Sequence, residues 1–359
     1  MIISSISFLK FLKLLREDKL KMSNKDVYVI VPAYNAQKYI GGCLESILNQ
    51  TYSNITVIVV DDASSDNTLS ILRQYADQDN RIICIHSNKN QGVAKARNIA
   101  LDYINQRDFD GYLCFVDADD YIHPEYIQIM LDKQCSSNAD IVWCKPNNTD
   151  KEYHSSNFEN IDINTAHDLL ISGKELLLKE EYRIMYSMVW GKLFKKHLWD
   201  NVRFPENLRF YEDGATTFKA IFKAETVLIT DLKLYYYYYS QNSATRSSSS
   251  IEKCECGLAT SLEKIVFYAH NKEKELLQMT YVGYANTILK NIRESDALHN
   301  KEYRKKMRKL YKDVYKKAVK CRNLGMGQKT KFIVYRFFPR IQKHYIKLKM
   351  ALMYRRTAK

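Results

Sequence analysis

Two aspartates separated by one residue, Asp117 and Asp119, follow an apolar run at 112–116 that predicts a buried strand. On an extended chain, residues two apart point to the same side, so both carboxylates would face one space. Carboxylates held close together repel each other unless protons or a cation intervene, and a hard divalent ion that also binds phosphate oxygens relieves that repulsion. The spacing therefore predicts a metal-diphosphate site, with a solvated acidic turn that caps the next helix as the alternative.

Polar residues follow other predicted strands as well. Asp61 and Asp62 come after a second apolar run, where a carboxylate can accept the ring N–H of a pyrimidine base or cap the following helix. Lys95 and Arg97 lie at the start of a predicted helix, whose positive N-terminal dipole suits a diphosphate; a solvated basic face is the alternative. The sequence has no Gly-x-Gly-x-x-Gly or Gly-Lys-Ser/Thr loop. Together these residues indicate binding of a nucleoside diphosphate with a divalent metal.

These residues need a scaffold, and the pattern between Lys25 and Cys144 predicts one. Strands alternate with helices, which requires parallel pairing through right-handed crossovers. Ligands bind such sheets beyond the carboxyl ends of the strands, where the polar loops lie. The predicted elements are strand 27–31, helix 37–49, strand 55–60, helix 66–77, strand 82–85, helix 93–105, strand 112–116, helix 124–134 and strand 140–144.

The second half of the chain has a weaker pattern. A helix is predicted from about residue 210 through Lys223, and the runs 227–229 and 232–239 predict a hairpin that turns at Thr230-Asp231. The tyrosine-rich run 235–239 predicts a strand packed on both faces, with no functional role. Residues 252–322 are predominantly helical and increasingly basic.

Charge is unevenly distributed along the 359 residues. The net charge is +14, but residues 301–359 contain 21 Lys or Arg and 2 Asp or Glu, so the remainder of the chain is mildly acidic. The eight cysteines are scattered and several lie in apolar runs, which favours reduced, buried thiols and a cytoplasmic protein. The composition excludes wholesale disorder.

Four motifs in this order resemble those of the family 2 glycosyltransferases of the GT-A fold. They occupy residues 29–35, 59–66, 90–98 and 115–121, and a weaker similarity continues through 190–193, 212–213 and 243–246. The resemblance implies an α/β fold with a mostly parallel central sheet flanked by helices, plus a helical basic C-terminal extension. It divides the chain into an N-terminal extension (1–21), a nucleotide-sugar-binding core (22–145), an acceptor-side half (146–250) and a C-terminal region (251–359).

The resemblance also implies roles for individual residues. Pro32, Tyr34 and Asp62 would hold the base of a nucleotide sugar, usually uridine. Asp117 would contact the ribose, and Arg97, with Lys95, the phosphates. Asp119 would bind Mn²⁺ or Mg²⁺ on the diphosphate, with Asp120 as a neighbouring metal-site residue. Asp213 would be the general base that removes the acceptor proton, with Glu212 beside it; an ordinary helix cap is the alternative at Asp213.

Both ends of the chain carry basic amphipathic patterns. Residues 1–21 predict a membrane-surface helix or an upstream extension, with translation starting at Met22. After Pro339, apolar residues recur at helical spacing among basic ones, and Phe332 and Phe337 add apolar area upstream. We expect a peripheral enzyme on the inner face of the plasma membrane, acting on an oligosaccharide or polyprenyl-diphosphate-linked acceptor for a surface polysaccharide. A helix packed on the body with a solvated basic face is the alternative.

Other functional classes fit the sequence less completely. A nucleic-acid-binding protein would explain the basic tail but leaves the polar loops after the strands without a purpose, so we expect no nucleic acid partner. A phospho-acceptor module would use Asp61-Asp62 but is usually smaller. A non-catalytic partner subunit of the same family is a third alternative, disfavoured by the intact acidic motif.

Overall fold

The computed structural model describes residues 25–107, 109–239 and 250–338 of the chain. They fall into two compact units, divided between residues 247 and 248. The first unit contains both the predicted core 22–145 and nearly all of the predicted acceptor-side half. Three predictions lie outside the described residues: the extension 1–21, the loop Ser243–Arg246 and the basic tail beyond residue 338.

The first unit is built on one nine-stranded sheet with helices packed against it. Its strands are β1 Val27–Ala33, β2 Ile55–Asp61, β3 Ile82–His86, β4 Tyr112–Phe115, β5 Tyr121–Ile122, β6 Ile141–Thr149, β7 Asp168–Ile171, β8 Lys192–Lys195 and β9 Val227–Tyr238. Its helices are α1 Ile40–Leu48, α2 Thr68–Gln78, α3 Val93–Asn105, α4 Tyr126–Ser137, α5 Gly173–Leu178 and α6 Thr217–Lys223. Short 3₁₀ helices lie at Ser155–Asn157, Ile163–Thr165, Glu180–Tyr182, Met185–Ser187 and Lys196–Trp199.

The strands follow the order β3-β2-β1-β4-β8-β6-β9-β5, and β7 also pairs with β9. The ladders β1–β2, β2–β3 and β1–β4 are parallel, as predicted, and the β6–β9 ladder is parallel as well. Shorter antiparallel ladders join β4 to β8, β6 to β8, β5 to β9 and β7 to β9. The predicted α/β fold with a mostly parallel sheet is confirmed, while the insertion of β8 between β4 and β6 was not predicted.

The central strands owe their parallel pairing to burial on both faces. β1 and β2 each bury six of seven residues, the near-continuous apolar pattern of strands that are covered by helices on both sides. Ile40, Leu44 and Ile47 of α1 are fully buried in the same core. The loops that follow these strands therefore start from a well-packed edge of the sheet.

The predicted hairpin at residues 227–239 is wrong, because β9 is one strand of 12 residues. Thr230 pairs with Cys144 of β6 on one side and with Asp168 of β7 on the other, so it lies inside the ladder. Asp231 accepts the backbone N–H of His167 at 2.9 Å, which satisfies its polar side chain without a turn. A register shift around Lys145 absorbs the local irregularity in the β6–β9 pairing.

The second unit consists of the helices α7 Ile251–His270, α8 Lys274–Ala297, α9 Lys301–Val319 and α10 Met326–Phe337. They share an apolar core that includes Met307 and Phe332. Phe332 is 0% exposed, so the prediction that it adds to a membrane-facing apolar area is wrong. Ile333 and Phe337, by contrast, are exposed. Among the residues described here, no helix is both long enough and apolar enough to cross a membrane.

Candidate active site

The acidic segment 117–120 lies directly after β4, at the carboxyl end of the strand. Its backbone is a turn at Ala118-Asp119 rather than the extended chain that the sequence argument assumed. The N–H of Asp120 donates to the carbonyl oxygen of Asp117 at 3.0 Å and closes this turn. Asp117 and Asp119 are only partly buried, whereas Asp120 is 1% exposed. The turn therefore presents two carboxylates and buries the third.

Asp120 is fixed by the last strand of the sheet. Its Oδ2 accepts the hydroxyl of Tyr235 at 2.7 Å, and its Oδ1 accepts the N–H of Tyr238 at 2.8 Å. The same Tyr235 hydroxyl oxygen accepts the N–H of Asp117 at 3.1 Å. Asp120 thus connects the acidic turn to β9, a task that the sequence did not predict.

The carboxylates of this turn influence one another. Burial, and next the negative charge of Asp117, raises the pKa of Asp119 to about 6. Burial also raises the pKa of Asp120 well above its ordinary value, with Asp119 and Asp117 adding to the effect. Asp119 and Asp120 line a cavity of about 90 Å³. The negative charge of Asp117 thus acts on Asp119, and a cation near the two carboxylates would relieve their repulsion.

Arg97 joins two parts of the site that are far apart in sequence. Its guanidinium is 4% exposed and donates to Asp117 Oδ1 at 2.8 Å and to Glu212 Oε1 at 2.7 Å. Burial alone would lower the pKa of Arg97, but the carboxylates of Asp117 and Glu212 outweigh it and raise the pKa above its usual value. Arg97 was predicted to contact phosphates; in this arrangement it lies below the surface and ties the acidic turn to the Glu212-Asp213 pair.

Glu212 and Asp213 lie in a sharp turn before α6. Tyr211 has a left-handed backbone with φ of 64°, and the helix begins at Thr217, later than predicted. Asp213 Oδ1 accepts the N–H of Gly214 at 2.7 Å, and the carbonyl oxygen of Asp213 accepts the N–H of Thr217 at 2.8 Å. The N-cap of the helix is Thr216, and no side chain caps it, so the Asp213 carboxylate does not act as the helix cap that the alternative supposed.

The electrostatics of Asp213 go beyond those of an ordinary cap. Burial, followed by the negative charge of Glu212, raises its pKa from 3.8 to about 7, while Arg97 opposes the rise. A carboxyl group with a pKa near neutrality can exchange a proton at physiological pH, which is what general acid-base catalysis requires. The carboxyl group of Asp213 is thus buried beside Glu212 and Arg97 and has a pKa near neutrality.

The residues predicted to hold the base follow β1 and β2. Pro32 is buried within the β1–β2 ladder, opposite Val60, and Tyr34 is 51% exposed. Asp62 is buried, and its two carboxylate oxygens accept the backbone N–H groups of Gln91 and Gly92. Asp62 therefore shapes the loop that precedes α3. Tyr34 is the exposed aromatic residue among the three.

The neighbouring Asp61 serves the turn after β2. It is fully buried, and its Oδ2 lies 2.8 Å from Nδ1 of His86 and accepts the N–H of Ser64 at 3.3 Å. Lys95, at the start of α3, also has a structural contact. Its ammonium group pairs with the carboxylate of Glu206 at 3.0 Å, so the side chain points toward the loop at residue 206.

Two further residues of the site carried no clear signal in the sequence. One is Tyr235, whose contacts depend on the pairing of distant strands. The other is Lys192, which is 1% exposed and donates to the carbonyl oxygens of Met185, Met188 and Trp190 at 3.1, 2.7 and 3.4 Å. Burial lowers its pKa from 10.5 to about 7. The sequence signal for Lys192 was weak: it is the lone lysine of the apolar run 189–194.

The donor groups of the acidic turn suit a hard divalent cation. Mg²⁺ is commonly held by one or two carboxylates together with the phosphates of a substrate, and Asp119 supplies one such carboxylate. Within the part of the chain that the structure describes, no cluster of three or more His, Cys, Asp or Glu side chains is arranged to hold a metal. A cation would therefore need oxygen atoms from a bound diphosphate.

Comparisons with known proteins agree with this geometry. The family model described as Glycosyl transferase family 2 matches residues 28–197. Glycosyltransferase GlyA of Streptococcus pneumoniae is 30% identical over 296 residues, which are 79% of this chain and 41% of GlyA. The uncharacterized glycosyltransferase EpsJ of Bacillus subtilis is 31% identical over 249 residues, which are 68% of this chain and 70% of EpsJ.

A solved structure shows the same fold. The crystal structure of residues 1–349 of S. aureus TarS in complex with UDP-GlcNAc has a TM-score of 0.65 at 22% identity, and the match covers 90% of this chain and 92% of that one. The GT-A fold predicted from the sequence is thereby confirmed. With the matching family model and relatives about 30% identical, this chain belongs to glycosyl transferase family 2.

Proposed function

We propose that this protein transfers a sugar from a nucleoside-diphosphate donor, UDP-sugar in the first instance, to a hydroxyl group of a glycan, with inversion at the anomeric carbon. The observation that carries the proposal is the link through Arg97 between the acidic turn at Asp117 and the Glu212-Asp213 pair. Inverting transfer needs a base on one side of the sugar and a charge-stabilised leaving group on the other. The two sides of this site match those two demands.

The donor would bind at the ends of β1, β2 and β4. Tyr34 offers an exposed ring for the base, and Asp62 has acceptor capacity for a pyrimidine N–H, with Pro32 shaping the same edge. Asp117 would accept a ribose hydroxyl. The TarS structure with UDP-GlcNAc supports the choice of uridine nucleotides for the first assays.

Asp119 would hold Mn²⁺ or Mg²⁺ together with the donor diphosphate, and Asp120 would support it from beneath. When bound, such an ion neutralises the negative charge that develops on the departing diphosphate. The raised pKa of Asp119, caused by burial and by Asp117, is consistent with a site that is relieved by a cation. Lys95 would add positive charge at the rim.

Asp213 would act as the general base. The acceptor oxygen forms the new bond to the anomeric carbon while the bond to the UDP oxygen breaks, and UDP leaves with that electron pair. The acceptor proton passes to a carboxylate oxygen of Asp213. Its pKa of about 7 leaves a substantial fraction of the carboxylate ready for this step at neutral pH. Glu212, paired with Arg97, would hold Asp213 in place and set its basicity.

The test is a panel of nucleotide sugars assayed with Mn²⁺, Mg²⁺ or a chelator, with calorimetry of UDP binding alongside. We expect Asp119→Ala to lose metal-dependent UDP binding. Asp213→Ala should keep UDP binding and lose turnover. Turnover of Asp213→Ala at the wild-type rate would refute the role of Asp213 as general base. UDP binding by the wild type that does not depend on metal would refute the proposed metal site.

We further propose that the acceptor is an oligosaccharide on a polyprenyl diphosphate, reached at the anionic inner face of the plasma membrane. Two features of the second unit support this. Exposed lysines recur on one face of α9 and at its C-cap, namely Lys305, Lys309, Lys312 and Lys316 in the helix and Lys320 at the cap. Ile333 and Phe337 of α10 are 41% and 55% exposed. Basic residues near an anionic bilayer contribute about 1 kcal/mol each, and exposed apolar side chains add burial in the interface.

Vesicle flotation tests the membrane proposal without disturbing a core. The double variant Ile333→Gln/Phe337→Gln should float less with phosphatidylglycerol vesicles than the wild type does. The matched control is Leu262→Gln/Val266→Gln, which removes equally exposed apolar side chains from α7. Equal flotation of the wild type with phosphatidylcholine and phosphatidylglycerol, or of all three proteins with phosphatidylglycerol, would contradict the proposal.

A further inference from the structure

Tyr235 lies where the last strand of the sheet meets the acidic turn. It is fully buried, and 115 residues of chain separate it from Asp120. Its hydroxyl donates to Asp120 Oδ2 at 2.7 Å and accepts the N–H of Asp117 at 3.1 Å. One side-chain oxygen therefore holds both ends of the segment that presents Asp119.

The bonding of this segment leaves little freedom. Asp120 Oδ1 accepts the N–H of Tyr238, so two positions of β9 hold the same carboxylate. The bond from the Asp120 N–H to the Asp117 carbonyl closes the turn on itself. Asp119 lies between Asp117 and Asp120, whose positions these hydrogen bonds fix. The direction of the Asp119 side chain is therefore set by bonds that its neighbours make. Orientation of a metal-binding group by such supporting contacts is a general feature of metal sites.

The ring of Tyr235 is fixed as firmly as its hydroxyl. It stacks on the indole of Trp190 at a centroid distance of 4.8 Å and an interplanar angle of 14°. Trp190 also stacks on Tyr237 at 5.4 Å, and its carbonyl oxygen accepts the ammonium of Lys192. Stacking stabilises an aromatic pair beyond the burial of its two rings. The Trp190 indole thus fixes the position of the Tyr235 ring and, with it, the position of the hydroxyl.

The direction of the hydrogen bonds is also determined. The hydroxyl of Tyr235 donates a hydrogen bond to Asp120 Oδ2. Because the backbone N–H of Asp117 can only donate, the same oxygen must be its acceptor. A phenylalanine at this position would leave a buried carboxylate oxygen and a backbone N–H without their partner.

We propose that Tyr235 is a positioning residue of the donor site: its hydroxyl, aligned by Trp190, holds the 117–120 turn so that Asp119 faces the divalent cation and diphosphate of the nucleotide. This inference rests on the proposed function. It assigns to the tyrosine-rich strand a role that the sequence pattern did not indicate. Tyr235 touches neither donor nor acceptor in this role and acts through the acidic turn.

The decisive variant is Tyr235→Phe, which keeps the ring and removes the hydroxyl. Its matched control is Tyr236→Phe on the same strand. Tyr236 is also buried and stacks on Tyr121 at 4.8 Å, but its hydroxyl is directed to Asn147. Neighbouring residues of a strand face opposite sides of the sheet, so the control removes the same group from the other face.

The readout is calorimetric UDP binding titrated with Mn²⁺, supported by electron paramagnetic resonance of bound Mn²⁺; neither depends on turnover. We expect Tyr235→Phe to require at least about tenfold more Mn²⁺ for half-maximal UDP binding, the usual loss when a supporting contact of a metal site is removed. Saturating Mn²⁺ should restore UDP binding. Tyr236→Phe should titrate like the wild type. Trp190→Phe, which shortens the stacked surface, should shift the Mn²⁺ requirement in the same direction by a smaller factor and serves if Tyr235→Phe does not fold.

The outcomes separate the inference from the function beneath it. If the wild type binds UDP in a Mn²⁺-dependent manner but a folded Tyr235→Phe titrates like Tyr236→Phe, the positioning role is refuted and the proposed donor site stands. If Tyr235→Phe does not fold and Trp190→Phe titrates like the wild type, the positioning role is refuted as well. If the wild type shows no Mn²⁺-dependent UDP binding, the proposed metal site falls, and the role of Tyr235 falls with it.

Discussion

The clearest quantitative prediction concerns the basicity of Asp213 and its dependence on Glu212. Burial and the negative charge of Glu212 together raise the pKa of Asp213 from 3.8 to about 7, and Arg97 opposes them. Replacing Glu212 by glutamine removes one of the charges that hold the proton on Asp213. It also releases the guanidinium of Arg97 from one partner, which further favours the ionised form of Asp213. Both effects lower the pKa of the base.

We take about one pKa unit, or about 1.4 kcal/mol, as the contribution of Glu212, which is smaller than that of burial. A base is active when deprotonated, so the rate should rise with pH and level off above the pKa. At pH 5.5 the deprotonated fraction would grow from roughly 3% to roughly 24%, whereas at pH 8 it would hardly change. The ratio of variant to wild-type rate should therefore increase about sevenfold between pH 8 and pH 5.5.

The assay is release of UDP from the best donor of the panel, measured between pH 5.5 and 8.5 at saturating donor and Mg²⁺. Using the ratio of rates cancels any uniform loss that the variant suffers. The matched control is Glu206→Gln, which removes a carboxylate paired with Lys95 and should leave the midpoint of the profile in place. If the rate of UDP release falls toward low pH with the same midpoint in Glu212→Gln and the wild type, then either Asp213 is not the base or Glu212 does not raise its pKa.

Other consequences follow from single contacts. Arg97→Met should destabilise the first unit by about 3–5 kcal/mol in urea unfolding, because Asp117 and Glu212 lose their buried cation; stability within 1 kcal/mol of the wild type would contradict this. Phe332→Ala should destabilise the second unit by about 3–5 kcal/mol, since the ring is fully buried, and an unchanged unfolding midpoint would show that the core of that unit is misassigned. Asp119→Asn should weaken Mn²⁺-dependent UDP binding while leaving the thermal unfolding midpoint nearly unchanged, and wild-type Mn²⁺ titration in that variant would exclude Asp119 as the metal ligand.

Sequence patterns predicted the first half of the fold almost completely. The parallel strands and the helix Val93–Asn105 were predicted from local apolar periodicity, because both sides of each central strand are buried and the pattern has no competing interpretation. The hairpin at Thr230-Asp231 failed for a physical reason. Polar residues in the middle of a strand indicate a turn only when no neighbouring strand pairs with their backbone, and here β6 and β7 both pair with the backbone of Thr230.

The positions of the site residues were predicted, but several of their contacts were not. Arg97 has the spacing of a phosphate ligand, yet its guanidinium lies between two carboxylates from different segments. Asp120 has the spacing of a metal ligand, yet both its oxygens accept hydrogen bonds from β9. Tyr235 carried no signal at all, since its importance depends on which residue its hydroxyl reaches.

The sequence by itself determined which residue types gather at the carboxyl ends of the strands, because alternating strands and helices permit one direction of pairing and so one edge for the loops. It also predicted the kind of ligand that we propose, since adjacent carboxylates favour a cation. Only the tertiary structure decided which carboxylates stay available and which are used to hold the site together. That division depends on hydrogen bonds between residues more than a hundred positions apart, whose distances and burial no local pattern contains.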